Sequence, residues 1–426
     1  MFHKEALNGN QTEQLFNLNT TPNPMNIKAT VILFLCLGLS ALLPAQSPKA
    51  YHIDNMVRIN RTCCSSLSKL SVLVPCPTTN QYQTISNVNY PGGTLLTDQT
   101  THNDYVRFLY TTDQLSNFGE IFDLDVSFDA VLLPYTFDFS QVDVIYPYNT
   151  SSPNYYENIG ASDVYIVPNN PTICSIADEL WANSNDIIEY ARHCYEYAAF
   201  HFSYLNPYTG LHPLADILSN GGGDCGNLSS IFISLLRNKS IPARHVVTIR
   251  PDGSLHVWAE FYLENYGWIP VDVTCKHDYP DGDYFGIYDG NGIVVSKGIC
   301  LILEKTPGNT YQCVILQKFD WWYWYNNSNY CSEITAHHVV NSTLLDVDET
   351  HSQNIPVFPN PTTGIVNIQC HDASQINVFN AFGQLLFTQN ANGQETIDLS
   401  SHPSGLYLIE IIGPRNITTK QVIKIQ

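Results

Sequence analysis

Three residues of this chain have the types and the order that nucleophilic catalysis requires, namely Cys225, His256 and Asp272. Cys225 lies 31 residues before His256, and His256 lies 16 residues before Asp272. A thiol becomes a strong nucleophile when a base takes its proton, and the base works best when a third group orients it. The three residues therefore predict a nucleophile, a general base and a group that holds the base in position.

The segment around Cys225 predicts the start of a buried helix. Gly221-Gly222-Gly223 forms a flexible turn that lets the backbone approach a substrate, and Asp224 is a residue type that caps helices. The positive end of a helix favours a thiolate, and its free N–H groups can bind an oxyanion. The helix should end before Ile241-Pro242. Its apolar face is formed by Leu228, Ile231, Phe232, Leu235 and Leu236.

The two partner residues fall on predicted strands. In the strand 255–263, alternation places His256 and Trp258 opposite the core-facing side chains, on a polar and aromatic wall that would suit a cleft. In the strand 268–273, Asp272 likewise faces away from the core. Adjacent antiparallel strands would bring His256 and Asp272 side by side. A single His or Asp on a strand is usually structural, so their shared orientation is the stronger signal.

The stretch from Ile176 to Thr274 resembles the transglutaminase-like superfamily of papain-like cysteine enzymes. The motifs are Gly223-Asp224-Cys225-Gly226-Asn227, Ile241-Pro242-Ala243-Arg244, His256-Val257-Trp258-Ala259-Glu260-Phe261 and Gly267-Trp268-Ile269-Pro270-Val271-Asp272. The resemblance implies an α+β core in which Cys225 is the nucleophile, His256 the general base and acid, and Asp272 the residue that orients His256. From their places beside the thiol and on the polar wall, Gly223, Asp224 and Trp258 are expected to line the substrate cleft.

Three functions are consistent with these residues. The first is amide hydrolysis of a protein or peptide substrate through a Cys225 thioester, which analogy with secreted bacterial relatives favours. The second is protein cross-linking, in which a lysine amine replaces water. The third is a non-catalytic binding or adhesion module at the cell surface. The loss of the Cys, His or Asp would have indicated such a module, but all three residues are present. The second oxyanion donor remains open among Tyr204, Asn206 and Asn220.

Composition narrows the partners. The formal net charge is −20 with only 19 Lys plus Arg, which argues against nucleic acid as a partner because nucleic-acid binding requires a basic surface. No cofactor is predicted. The cysteine spacing does not fit zinc ligands, and the aspartates from Asp278 to Asp289 fit a solvated loop better than a calcium site.

The N-terminal part of the chain predicts export. Residues 25–45 have the pattern of a secretory signal, with Lys28 as its charge and cleavage after Ala45. The apolar run 29–43 is too short for a membrane anchor, so the mature chain is expected to have no transmembrane helix. Residues 1–24 precede this signal and are interpreted as a non-native extension.

A secreted chain with an even number of remaining cysteines can form disulfides, although their pairing does not follow from sequence. With Cys36 in the signal and Cys225 set aside, the remaining ten are Cys63, Cys64, Cys76, Cys174, Cys194, Cys275, Cys300, Cys313, Cys331 and Cys370.

The pattern of short strands and helices predicts a multidomain α+β protein. Residues 50–165 are expected to form a β-sandwich-like domain and residues 166–335 the papain-like, transglutaminase-like catalytic domain, opened by a helix over 176–204. Residues 341–355 read as a linker. Residues 356–426 are expected to form a small β-sandwich.

This last segment resembles the C-terminal sorting domain of the type IX secretion system of Bacteroidetes. The specific motifs are Phe358-Pro359-Asn360-Pro361 and Gly405-Leu406-Tyr407. The resemblance implies that the type IX secretion machinery reads the segment as an address, and that the protein is secreted or held at the cell surface.

Overall fold

A computed structural model describes residues 48–62, 67–205, 210–325, 334–345, 355–370, 375–380, 385–391, 393–412 and 417–425. The predicted extension 1–24 and signal 25–45 lie outside the described residues. Within the described part of the chain, no helix is both long enough and apolar enough to cross a membrane.

The first segment is mostly strand. In its two longest strands, Lys49–Asn60 and Ile121–Leu132, buried side chains recur mostly at every second position, whereas Leu67–Pro75 and Asp104–Thr111 are buried at most positions. Its elements are β1 (Lys49–Asn60), β2 (Leu67–Pro75), β3 (Gln83–Asn89), β4 (Gly93–Thr97), β5 (Asp104–Thr111), α1 (Thr112–Leu115), β6 (Ile121–Leu132), β7 (Tyr135–Thr136), the 3₁₀ helix η1 (Phe139–Gln141) and α2 (Pro153–Tyr156).

The middle segment mixes helices and strands. Its elements are α3 (Pro171–Ala182), α4 (Ile187–His201), β8 (Ser203–Tyr204), α5 (Leu214–Asn220), β9 (Gly222–Gly223), α6 (Cys225–Asn238), β10 (Ala243–Ile249), β11 (Leu255–Leu263), β12 (Gly267–Val271), α7 (Val273–Asp278), β13 (Ile287–Tyr288), β14 (Ile293–Lys297), β15 (Leu301–Thr306), β16 (Asn309–Cys313), β17 (Asp320–Tyr325) and β18 (Thr335–Leu345).

Helix α6 packs on the four-stranded sheet β12-β11-β10-β14 and forms the centre of this segment. Leu228 and Phe232 of the helix share a fully buried cluster with Phe261 of β11 and Ile269 of β12. The predicted helix start, end and apolar face are confirmed. The single helix expected over 176–204 is instead the pair α3 and α4, because the intervening polar residues end one helix and Asp186 caps the next.

Strands β1 to β6 of the first segment form two four-stranded sheets with β18 and β17 of the middle segment, ordered β18-β1-β6-β3 and β17-β2-β5-β4. Both contribute side chains to one buried cluster, including Val57, Val72 and Phe108. Strands β17 and β18 follow the core in sequence, so these sheets contain more than the predicted domain 50–165. The linker predicted from residue 341 overlaps β18, which continues to Leu345; residues 346–354 lie outside the described residues.

The C-terminal segment has its own apolar centre, to which its described residues contribute buried side chains that include Val366, Ile397 and Ile409. Two sheets, ordered β19-β20-β23 and β22-β21-β24-β25, supply it. Their strands are β19 (Val357–Phe358), β20 (Ile365–Cys370), β21 (Gln375–Asn380), β22 (Leu385–Asn390), β23 (Gly393–Asp398), β24 (Gly405–Ile412) and β25 (Ile417–Lys424).

Candidate active site

Cys225 is the first residue of α6, and its position is fixed by polar contacts around the helix start. Asp224 caps the helix, and its side chain accepts a hydrogen bond from the backbone N–H of Asn227 at 3.2 Å. The Asn227 side chain donates to Asp224 Oδ1 at 2.8 Å and to the Gly210 carbonyl at 3.0 Å. Because Gly210 N–H also donates to Asp224 at 2.7 Å, the loop before α5 is held against the residue that precedes the thiol.

The glycines before Asp224 are required by close packing of the backbone. Gly222 and Gly223 are buried and form β9, which pairs with the parallel strand β8. A Cβ at Gly222 would lie 2.0 Å from the Ser203 carbonyl oxygen, and one at Gly223 would lie 2.5 Å from the Asn227 side chain. The predicted close approach of this backbone is therefore to the protein's own chain.

His256 and Asp272 meet where two adjacent strands approach α7. His256 lies near the start of β11, and Asp272 follows β12 as the N-cap of α7. His256 Nε2 lies 2.6 Å from Asp272 Oδ2, which confirms their predicted proximity. Asp272 Oδ1 accepts a hydrogen bond from Cys275 N–H at 2.9 Å. The sequence pattern predicted a strand over 268–273, but β12 ends at Val271 and the chain enters α7 after Asp272.

The charges of this pair stabilise each other. Burial works to lower the pKa of His256, but the Asp272 carboxylate outweighs it and raises that pKa well above the usual histidine range. Burial likewise works to raise the pKa of Asp272, but the charge and hydrogen bond of His256 lower it. The site therefore favours an imidazolium beside a carboxylate.

Cys225 is the third member of this group. Its thiol is a hydrogen-bonding partner of the His256 ring and contributes to the raised pKa of His256. Since Nε2 is engaged with Asp272, Nδ1 is the ring nitrogen left for Cys225. The structure thus brings all three predicted residues together, in an order that permits proton transfer between thiol and imidazole.

The thiol opens on a cleft of about 390 Å³. One wall belongs to the core, and the other belongs to the segment between β16 and β17 that leads back to the first sheets. The lining residues are Tyr204, Gly210, Leu211, Asp224, Cys225, Gly226, Leu255, Val257, Ile315, Gln317, Lys318 and Phe319.

Of the predicted cleft residues, Asp224 lines this cleft whereas Gly223 and Trp258 do not. Gly223 is covered by the contacts described above. Trp258 is only 4% exposed and packs edge-on against Tyr82, with ring centroids 5.0 Å apart. Its face of β11 is covered by Tyr82 and Tyr288, so this face is a second buried layer and the predicted open wall is wrong.

The same buried layer contains a charged cluster. Glu260 is fully buried; its carboxylate accepts hydrogen bonds from Arg244 Nε at 2.6 Å and Tyr82 Oη at 2.9 Å. Lys297 Nζ lies 3.4 Å away. Burial opposes ionisation of Glu260, but Lys297 and Arg244 lower its pKa. This cluster joins β10, β11 and β14 behind the site.

Two of the three candidate oxyanion donors can be placed. Tyr204 lines the cleft beside Cys225. Asn220 ends α5 and is not among the lining residues, and Asn206 lies outside the described residues. Tyr204 is therefore the candidate that the cleft geometry favours as a partner for the N–H groups at the start of α6.

Two residues near the site were not predicted. Cys275 lies on the first turn of α7, and its thiol contacts both His256 and Asp272. Gln317 donates from Nε2 to the backbone carbonyls of Thr248 at 2.9 Å and His256 at 3.1 Å. The Asp272-x-x-Cys275 spacing of a capped helix could have indicated Cys275, whereas nothing local indicates Gln317.

The cysteines that the structure describes are free thiols, so the disulfides that the composition permits are not formed among them. Cys63, Cys64 and Cys331 lie outside the described residues, as does the side chain of Cys370. The free cysteines are Cys76, Cys174, Cys194, Cys225, Cys275, Cys300 and Cys313.

Two family models match the chain. Residues 175–273 match the transglutaminase-like superfamily, and residues 356–426 match the secretion system C-terminal sorting domain. An uncharacterized protein of Haemophilus influenzae is 32% identical over 75 residues, covering 12% of this chain and 20% of the relative. This chain thus spans about a fifth of the curated relative that it matches.

Two solved structures that resemble this chain do so at low sequence identity. A candidate cysteine protease from Cytophaga hutchinsonii has a TM-score of 0.50 at 13% identity, covering 71% of this chain and 93% of the other. The periplasmic domain of TgpA from Pseudomonas aeruginosa has a TM-score of 0.29 at 14% identity, covering 55% of this chain and 89% of the other. The match to the family model indicates a transglutaminase-like core, and the first of these structures agrees with its mixed α/β fold.

Proposed function

We propose that this chain, which contains a transglutaminase-like core and a C-terminal sorting domain, is a cysteine enzyme that hydrolyses amide bonds of proteins or peptides. The sorting domain indicates export to the cell surface or beyond through the type IX secretion machinery. The observation that carries the enzymatic proposal is the position of Cys225, at a helix start beside a histidine that Asp272 holds at 2.6 Å.

In the proposed reaction, the thiol proton of Cys225 passes to His256 before the attack, and the resulting thiolate, paired with the imidazolium, attacks the amide carbonyl carbon. Backbone N–H groups at the start of α6 and the Tyr204 side chain stabilise the oxyanion. His256 then gives its proton to the leaving nitrogen as the C–N bond breaks, which leaves a thioester on Cys225. Water attacks the thioester, releases the carboxylate product and restores the thiol. Asp272 keeps the ring oriented throughout.

Water is favoured over an amine as the acceptor because the Cytophaga hutchinsonii protein that shares this fold is described as a candidate cysteine protease. A lysine amine in the place of water would make the same thioester chemistry a protein cross-linking reaction. Both reactions require the same three residues, so the acceptor has to be tested separately from the nucleophile.

The test begins with labelling of the purified mature protein by iodoacetamide from pH 5 to pH 8, with the modified cysteine located by mass spectrometry. We expect rapid labelling of Cys225 that slows in His256→Ala. Cys174→Ser is the matched control, because Cys174 is a half-buried free thiol on α3 outside the site. Slow and unselective labelling of Cys225 in the folded wild type would favour a non-catalytic binding module.

A second assay separates the two acceptors. A casein digest is followed in the presence and absence of a fluorescent primary amine, with Cys225→Ala beside the wild type. Hydrolysis predicts new peptide termini without incorporation of the amine, and cross-linking predicts incorporation. Turnover that persists in folded Cys225→Ala would overturn the assignment of the nucleophile.

A further inference from the structure

His256, Asp272 and Cys275 bring three possible metal-binding side chains together. They meet on the side of the His256 ring that is turned away from the cleft. One ligand atom from each of His256, Asp272 and Cys275 lies within 4.8 Å of the other two. Asp272 and Cys275 are fixed relative to each other, because Asp272 caps α7 and accepts a hydrogen bond from Cys275 N–H on its first turn. His256 reaches them from β11. The three therefore belong to two rigid elements.

A small cavity adjoins these three side chains. It has a volume of about 20 Å³ and is lined by His256, Asp272 and Cys275, which is room for a single water or ion. Cys225 does not line it and opens on the larger cleft instead. Arg250 and Asp289, one charge of each sign, also line this cavity, so the three converging groups dominate its chemistry.

We infer that His256, Asp272 and Cys275 form a binding site for a single thiophilic divalent cation such as zinc. An imidazole, a carboxylate and a thiolate are the ligands that zinc takes in proteins. Three protein ligands leave one position for water, as in sites where the metal exchanges. The cation displaces the Cys275 thiol proton and the proton between His256 and Asp272, and both protons pass to solvent.

Occupation of this site switches off the proposed hydrolase, a consequence that rests on the proposed function. A cation on His256 takes the place of Asp272 as the partner of Nε2. The ring then carries a metal where it would carry a proton, so it no longer accepts the Cys225 proton readily. The metal acts from behind the histidine and leaves the cleft itself open to substrate.

Cobalt(II) is the probe, because a bound thiolate gives it a charge-transfer band and tetrahedral ligands give it intense visible bands. The full chain is titrated with cobalt(II) as wild type, Cys275→Ser, Cys225→Ala and Cys174→Ser. We expect the thiolate band in the wild type, in Cys225→Ala and in Cys174→Ser, and its loss in Cys275→Ser. Zinc should displace cobalt from the first three proteins and bind at least tenfold more weakly to Cys275→Ser.

A thiolate band that persists in Cys275→Ser, or that disappears in Cys225→Ala, would overturn the site, as would a wild type that shows no band. Cys275→Ala is a second variant that should also lose the thiolate band. Circular dichroism of each variant checks that the band is lost from a folded protein. Since Cys225→Ala cannot form the thioester, the cobalt spectrum tests the metal site independently of the proposed hydrolysis. Only the inhibition by zinc requires an active enzyme.

Discussion

Gln317 donates a hydrogen bond from its side chain to the backbone carbonyl of His256 at 3.1 Å. The same nitrogen donates to the carbonyl of Thr248 on the neighbouring strand at 2.9 Å. Gln317 belongs to the segment that forms the outer wall of the cleft and leads into β17. The position of the candidate base therefore depends on a residue that follows the core in sequence.

Gln317→Ala should slow the proposed reaction more than it weakens substrate binding. The variant loses two hydrogen bonds, each worth about 1 kcal/mol of stability, but a small displacement of the His256 ring can cost about 10- to 100-fold in rate. Steady-state kinetics on a peptide substrate should show this as a fall in kcat with KM little changed.

Gln99→Ala is the matched control for this change, since Gln99 also donates to a carbonyl but is exposed and lies outside the cleft. It should leave kcat unaltered. A Gln317→Ala enzyme with wild-type kcat would show that the backbone of β11 is held in place without these two hydrogen bonds.

The His256–Asp272 pair predicts a bell-shaped contribution to stability. Asp272 has a lowered pKa in the fold, so its contribution is present above about pH 4 and is lost as pH falls through the folded value. His256 has a raised pKa, so its contribution is full below about pH 6.5 and is lost as pH rises through the folded value. The two overlap fully between about pH 4 and 6.5.

Asp272→Asn should therefore lower the free energy of unfolding most within this window, by about 1–3 kcal/mol. Urea denaturation of both proteins from pH 3 to pH 9 measures the difference. The thiols of Cys225 and Cys275 also contact the ring, so Cys225→Ala serves as the background for a second pair of curves. A difference that does not change with pH would show that the pair is not ionised in the fold.

Local patterns account for what the sequence predicted correctly. The cap at Asp224 and the apolar spacing behind Cys225 lie within one helix, and together they determine where α6 begins and which face is buried. The approach of His256 to Asp272 follows from two consecutive antiparallel strands joined by a tight turn. Each of these features depends on residues that are close in sequence.

The features that sequence did not predict depend on distant residues. Trp258 is covered by Tyr82, which comes from the first segment, so alternation along β11 identified two faces but not that both are buried. Strands β17 and β18 pair with β2 and β1, from which the whole core separates them in sequence. No local sequence signal predicts this pairing. Asp272 is read equally well as a strand residue or a helix cap until the course of the chain is known.

The hydrogen bonds of Asn227 predict that the start of α6 is sensitive to substitution. Asn227 is fully buried, donates to Asp224 and Gly210, and accepts from the backbone N–H of His212 at 2.9 Å. Asn227→Ala removes these three side-chain hydrogen bonds and should cost about 1–3 kcal/mol in urea denaturation. Limited proteolysis near Gly210 should become faster, because the loop loses its attachment to the helix.

Asn183→Ala removes a comparable donor, since the Asn183 side chain donates to the Glu179 carbonyl at 2.8 Å but is exposed. It should change stability by less than about 0.5 kcal/mol. Equal losses in Asn183→Ala and Asn227→Ala would contradict a special role for the loop contact.

The buried cluster of Glu260 with Arg244, Lys297 and Tyr82 predicts the largest loss of stability. Glu260→Gln leaves the Arg244 and Lys297 side chains, 19% and 17% exposed, without their buried anion, which should cost about 3–5 kcal/mol. Burial lowers the pKa of Lys297 to about 8 even with Glu260 present, so Lys297 can relieve part of the loss by releasing its proton. Thermal and urea unfolding measure the change.

Asp178→Asn is the matched control, because it removes a carboxylate from an ion pair with Lys239 in which Asp178 is 74% exposed. An exposed pair contributes about 0–1 kcal/mol, so this variant should remain close to the wild type. The wild-type contribution of Glu260 should be present above about pH 4.3 and be lost as pH falls through its lowered folded pKa. A Glu260→Gln protein no less stable than Asp178→Asn at pH 7 would contradict this prediction. Another group would then have to neutralise the two cations, and the cluster would not stabilise the junction of β10, β11 and β14 behind the site.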